Sequence, residues 1–397
     1  MNYPVKYFHS AMRGAPTLSG TAGSLLALFD ACLTTGFGLV TAQSVTVAGG
    51  IATATLPLGQ SFEEYAIVQI DGATPDELNG NARVLPGATS SQIQWATEAA
   101  DGMATGTITI KTAPADWWQK VYAGVNKAVW RSGDIQSNGH CLRIDDSGTT
   151  FARVTGYESM TDVDTGAGPF PTDLQMSGGG YWHKSTVANT TAVRWKLFAD
   201  SRALLLAVAP GFASSATYLV APMRGFGDPI EMRQSGDPWC TFLGASNLTT
   251  NNTNSGQSGA LSEYLVSNLS YGVASMPRAW QGLGGCVLLD VLSFTGTAGT
   301  ASGGDAALGA FPSVIDGRLM LSRMYLRETG VNPPRAIVPG VYRIPQSGAV
   351  ALISDGNMIS AGGDLHGRRL VAIATTVGLF GSPPQGIYLV DATGPWR

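Results

Sequence analysis

Charged side chains are scarce. Only 13% of the 397 residues are Asp, Glu, Lys or Arg, roughly half of the ~25% usual in globular domains. The 24 basic residues are scattered and the net charge is −4. Nothing therefore supplies the clustered positive charge that holds a phosphate backbone, and nucleic acid is not an expected partner. Long apolar runs are missing too. No window of 18 apolar residues occurs, so no membrane insertion is expected. The opening MNYPVKYFHS has neither a basic segment nor an apolar segment of the kind that starts a secretory signal. Cysteine is limited to Cys32, Cys141, Cys240 and Cys286, far apart and without a CxxC pair. Each sits among apolar or small residues, which reads as buried free thiols in a chain assembled in a reducing cytoplasm.

The motifs of common enzymes are absent as well. There is no P-loop, no dinucleotide-binding glycine pattern after a strand, no G-x-S-x-G and no H-E-x-x-H. The four histidines, His9, His140, His183 and His366, are isolated in sequence. A triad has no fixed spacing, but nothing here favours one. No catalytic, cofactor-binding or metal residue is assigned, no cofactor is expected, and the chain is not expected to be an enzyme.

What is abundant is glycine, with 51 residues, and a hydrophobic share of 44%. Together with low charge this points to a β-rich chain with tight turns, or to a surface hidden against neighbours. Its length exceeds what one core usually supports. The fold expected is mainly β: an N-terminal arm and amphipathic helix over 1–40, a small β-sandwich or barrel domain over 41–112, and a larger β-sandwich-like domain over 113–397.

The helix is predicted from Leu25, Leu28, Phe29, Cys32 and Leu33, which form an apolar stripe. Ser19 or Thr21 is the expected N-cap, and Gly36 suits the position past the end. Residues 1–18 read as an extended arm, docked either on a neighbouring subunit or on its own domain. From Ser44 the period falls to two: Val45 and Val47, a Gly49-Gly50 turn, then Ile51, Thr53 and Thr55, a β-hairpin. Ala66–Ile70, Gln92–Trp95 and Thr105–Lys111 continue the set, and Ala113-Pro114-Ala115-Asp116 reads as a linker. Beyond Trp117-Trp118, strands are expected at Lys127–Arg131, Cys141–Asp145, Phe151–Tyr157, Val193–Phe198, Ala203–Ala209, Trp239–Leu243, Val287–Val291, Leu319–Leu326, Leu370–Thr376 and Gly386–Val390. Thr249–Gly259 and Thr295–Asp305 are low in complexity and read as exposed loops. No repeat, heptad or shaft-like period occurs, so a compact body is expected.

Chemistry concentrates between Leu142 and Lys184. Asp145, Asp146, Glu158, Asp162, Asp164 and Asp173 are dense there, and two carboxylates at the right separation can hydrolyse a glycosidic bond. Trp117, Trp118, Trp130, Tyr157, Tyr181 and Trp182 can stack on sugar rings or fill a core. Asp162-Val-Asp164-Thr-Gly166, with Asp173 at the twelfth position, is similar to the opening of a calcium loop. Its glycine is displaced by one position and no flanking helices are evident, so the alternative is an Asx-rich turn.

Several of these stretches resemble segments of virion structural proteins of tailed bacteriophages, of the tail or baseplate kind. They are GAPTLSGTAGSLLALFDACLTTGFG at 14–38, GATPDELNG at 72–80, ATGTITIK at 104–111, RIDDSGTTFARVTGYESMTDVDTGAG at 143–168, the turn at Gly178–Trp182, and the C-terminal GRRLVAIATT and GIYLVDATGPW. The resemblance implies a structural component of the tail that forms a homo-oligomer, with three-fold or six-fold symmetry by analogy. It implies other phage tail proteins as neighbours, host attachment as a setting, and assembly in the host cytoplasm. It carries over no catalytic residue. A receptor-binding or adsorption protein of the tail tip, contacting a host surface receptor, is the alternative. A surface-polysaccharide depolymerase is the third reading.

Overall fold

A computed structural model describes residues 3–115, 117–215, 217, 219–247, 261, 272–293, 308–375, 384 and 386–397. The expected loops at 249–259 and 295–305 lie outside these residues. The chain is mainly β, with antiparallel pairing throughout its strand ladders. Among the described residues no helix is long and apolar enough to cross a membrane.

The hairpin read from alternation forms as expected. Ser44–Ala48 pairs with Ile51–Thr55 in a register that sets Ala48 opposite Ile51. Gly49 and Gly50 turn the chain at φ 59° and 78°, the left-handed pair that a two-residue hairpin loop requires. This hairpin sits in a four-stranded sheet with Gln92–Ala96 and Gly102–Met103. A second four-stranded sheet joins Phe37–Thr41, Thr109–Thr112, Ile67–Asp71 and Gly80–Arg83.

The remaining described strands form one branched sheet of 18 strands. One branch runs through Trp118–Gly124, Lys127–Ser132, Cys141–Asp145 and Phe151–Met160. The last of these holds Gly180–His183 with its first half and Gly166–Phe170 with its second. The other branch begins at Arg194–Ala199 and meanders through Ala203–Ala209, Met223–Gly227, Phe242–Ser246, Gly272–Met276, Val287–Leu292, Ser322–Glu328 and Ala336–Arg343. It closes through Gly386–Asp391 and Arg369–Thr375 to Met358–Ser360. A bridge between Tyr181 and Ser246 joins the branches.

Period-two alternation explains how this sheet is buried on both faces. In Ala203–Ala209 every residue is buried. Leu204, Leu206 and Val208 enter a core shared with the helix and the two small sheets. Ala203, Leu205, Ala207 and Ala209 enter a second core with Phe242, Met276 and Tyr388. The alternation repeats one layer further on. Val371, Ile373, Tyr388 and Val390 face the second core, while Leu370, Ala372, Ala374, Ile387 and Leu389 face a third. A near-continuous apolar strand is thus a wall between two cores.

In the first 40 residues the arm takes the second of its two expected positions, on its own chain: Lys6–His9 is a strand paired with Arg194–Ala199, and Val5, Lys6 and Phe8 are buried. The helix differs from expectation. It is short, Ser24–Phe29, and continues into wider π-helical turns over Asp30–Thr35. Gly23, at φ 80°, takes the N-cap position in place of Ser19 or Thr21, and no side chain within the segment caps it. Gly36 ends the element as expected, at φ 72°. The 113–115 segment is also packed, with Ala113 and Ala115 fully buried and Lys6 Nζ donating to the Pro114 carbonyl.

Candidate functional site

The missing helix cap comes from the acidic stretch. Asp146 follows strand Cys141–Asp145 and is completely buried. One carboxylate oxygen accepts the Leu25 backbone N–H at 2.8 Å, an N-terminal amide that the helix itself cannot satisfy. The other oxygen pairs with Lys184 Nζ, which also donates to the Thr21 carbonyl at 2.6 Å. Burial raises the Asp146 carboxyl above the usual range against the pull of Lys184, and burial lowers Lys184. Asp146 and Lys184 therefore brace the helix to the sheet.

The other acids are engaged elsewhere. Asp164 pairs with Arg143 at 2.6 Å and Lys127 at 2.9 Å, and Asp145 lies 3.5 Å from Arg143. Asp162 accepts the backbone N–H groups of Asp164 and Thr165 at 2.7 and 2.8 Å, an Asx turn. Asp173 accepts the Gly178 N–H at 2.8 Å. Glu158 holds Arg278 through two bonds of 2.7 and 2.8 Å. The calcium-like spacing thus folds as a turn whose second carboxylate is matched by two cations. Among the described residues no three His, Cys, Asp or Glu side chains are grouped to share an ion.

The aromatic residues mostly fill the interior. Trp130 and Trp182 lie 5.3 and 6.0 Å from the Phe29 ring, and the Trp182 indole donates to the Gly244 carbonyl at 2.8 Å. Trp118 is buried and donates to the Asp200 carbonyl at 2.9 Å. Arg153 covers the Tyr181 ring at 3.9 Å. Trp117 and Tyr157 are half-buried.

His140 has partners that sequence spacing could not reveal. Its Nδ1 lies 2.8 Å from Thr241 Oγ1, and that hydroxyl donates to Asp228 at 2.6 Å. Because the Thr241 proton goes to Asp228, the imidazole must donate to the hydroxyl. The bonds therefore run His to Thr to Asp, whereas a nucleophile needs its proton drawn towards the histidine. Burial lowers the His140 pKa, and the ring stacks on Trp239.

A cavity of about 320 Å³ opens where distant segments meet. The N-terminal strand brings Tyr7 and His9, the connection between strands Ile51–Thr55 and Ile67–Asp71 brings Glu63 and Tyr65, strand Arg194–Ala199 brings Arg194 and Lys196, and strand Arg369–Thr375 brings Arg369. His9 Nε2 lies 2.7 Å from Glu63, and Lys196 pairs with Asp355 at 2.6 Å. Arg369 lies 4.8 Å from the Tyr65 ring centroid and donates to its hydroxyl at 3.1 Å. Tyr65 holds a left-handed backbone, φ 67°, which costs a non-glycine residue on the order of 1–3 kcal/mol. Sequence reasoning singled out only His9 of this set, and none of the six acids from the 145–173 region lines it. No protein-family model and no curated protein matches the chain.

Proposed function

We propose that this chain is a structural component of a bacteriophage tail or baseplate. It assembles there as a symmetric homo-oligomer, three-fold or six-fold, beside other tail proteins at the host-contacting end. The observation that carries the reading is the use made of the 142–184 stretch, which resembles tail-protein sequence. Its charged residues serve as braces: Asp146 and Lys184 tie helix to sheet, and Glu158 ties Phe151–Met160 to Arg278. The three largest cores among the described residues, divided by strands of one branched sheet, suit a mechanical part. Exposed apolar side chains, among them Leu174 in the same stretch and the adjacent pair Val314 and Ile315, suit contact with further subunits.

Antibody labelling of purified particles tests this proposal. Gold at the tail end is the expected result; label on the head alone, or none, contradicts it. The alternative of a receptor-binding or adsorption protein is favoured by the 320 Å³ cavity. The depolymerase reading gains nothing from the acids that suggested it, because Asp146, Asp164 and Glu158 already face Lys184, Arg143, Lys127 and Arg278.

A further inference from the structure

We infer that the cavity between the N-terminal strand and strand Arg369–Thr375 is a binding site for a short saccharide bearing one carboxylate, such as a uronic or sialic acid unit. The volume, about 320 Å³, is at the small end of the roughly 300–1,000 Å³ typical of ligand pockets. It has room for one or two sugar rings and not for an extended chain.

The lining selects the chemistry. An apolar ligand is disfavoured, because Glu63, Glu64, Arg194, Lys196 and Arg369 all border the space. A polyphosphate is disfavoured for the opposite reason: two carboxylates border the same space, and Asp355 already neutralises Lys196. A polyol fits. Carboxylates accept hydroxyl protons, arginine and lysine donate to hydroxyl oxygens, and Tyr7 and Tyr65 offer ring surface to the C–H faces of a sugar.

Two residues narrow the class further. Among the described residues no carboxylate pairs with Arg194; its guanidinium lies 4.9 Å from the Phe212 ring centroid and its side chain is at the exposed rim. Arg369 likewise pairs with no carboxylate among the described residues and donates to the hydroxyls of Ser360 and Tyr65, while Glu64 is the lining carboxylate without a cationic partner. The excess of one arginine favours a ligand with one negative charge, through a charge-assisted bond. The Tyr7 hydroxyl also makes no hydrogen bond to a described residue. Its ring is fixed by stacking on Phe198, 4.6 Å between centroids. Burial, with the nearby charges of Asp355 and Glu63, raises its pKa, so it stays a neutral donor. The strained backbone of Tyr65, fixed by an N–H bond to the Val84 carbonyl of 2.8 Å and by Arg369, places the second ring. Strain held in a cavity wall is the pattern expected of a binding surface.

The inference does not depend on the chain's place in a virus particle, so particle labelling and saccharide titration can fail separately. The test is calorimetric titration of the full chain with galacturonic acid against galactose, and with glucuronic acid against glucose. At least one acidic probe should bind tenfold or more tightly than its neutral counterpart. Arg194→Gln, at an exposed position, should leave the unfolding midpoint unchanged and remove that advantage, and Tyr7→Phe should weaken the acidic probe threefold or more. The inference is overturned if neither acidic probe outbinds its counterpart or if Arg194→Gln leaves the preference intact. It is also overturned if acetate alone binds as tightly as the acidic saccharide, which would mark a simple anion site.

Discussion

Asp146 and Lys184 form an ion pair with both side chains withdrawn from water, at 0% and 1% exposure. The pair joins the end of strand Cys141–Asp145 to the start of helix Ser24–Phe29 through Leu25 and Thr21. Taking two charges out of water is costly, and what makes it tolerable is that each has further hydrogen-bond partners. Removing one partner leaves the other uncompensated. Asp146→Ala and Lys184→Met should each lower unfolding free energy by about 3–5 kcal/mol, measured by denaturant titration. The double variant should lose clearly less than the sum, because the two single costs describe one interaction.

The Asp162 turn should govern part of the acid sensitivity. The Asp164 backbone N–H bonded to Asp162 holds that carboxyl below its usual range, and bonds from Lys127 and Arg143 do the same for Asp164. A carboxyl whose folded pKa is depressed stabilises the fold fully above its unfolded value, about 4, and the contribution is lost as pH falls through the folded value. The melting temperature of Asp162→Ala should therefore lie below that of the native chain at pH 6. The gap should narrow as pH drops below about 4. A gap that is constant with pH would count against this role.

Gly156 is a place where only hydrogen fits. A Cβ there would lie 2.3 Å from atoms of the Phe170 ring, and that ring is fully buried opposite Gly156 in the paired strand. Gly156→Ala should destabilise by about 1–3 kcal/mol, the usual range for overpacking. Adding Phe170→Leu should recover part of that loss, and thermal unfolding of the single and double variants checks it.

The four thiols should be silent in the native state. Burial raises Cys32, Cys141 and Cys240, and pushes Cys286 up to about 12. Little thiolate is then present at pH 8, and the thiolate is the reactive form. Iodoacetamide should label the folded protein slowly and modify all four cysteines once denaturant is added, as counted by intact mass.

Docking of the arm on its own chain has a direct consequence. Phe8 is 1% exposed within the first core, so Phe8→Ala should cost about 3–5 kcal/mol. A fold that relied on a neighbouring subunit to receive the arm would show that loss only above the concentration at which subunits associate. The loss should instead be independent of protein concentration in equilibrium unfolding.

Strands with strong periodicity were legible in the sequence. Cys141–Asp145 and Ala203–Ala209 lie where alternation and apolar content place them, and the Gly49-Gly50 hairpin follows from turn chemistry. Glycine-rich strands were not legible. Gly166–Phe170, Gly180–His183 and Met223–Gly227 carry little pattern, because neighbouring strands and close packing hold them rather than local preference. The expected strand Trp239–Leu243 is displaced to Phe242–Ser246, since Asp237 accepts the Trp239 N–H in a turn. The helix was found but not its cap, which arrives from Asp146, 121 positions away from Leu25. The cavity was invisible for the same reason: Tyr7, Tyr65, Arg194 and Arg369 meet only through tertiary pairing.

The function we propose for this chain is that of a mechanical part of a virus tail. Imaging intact particles by electron cryomicroscopy, and searching the map for this layered β body, is the sharpest test. Copies should be arranged about the tail axis, three or six to a ring, at the host-contacting end. Particles whose tail density nowhere accommodates the body, or that hold it only in the head shell, would contradict it.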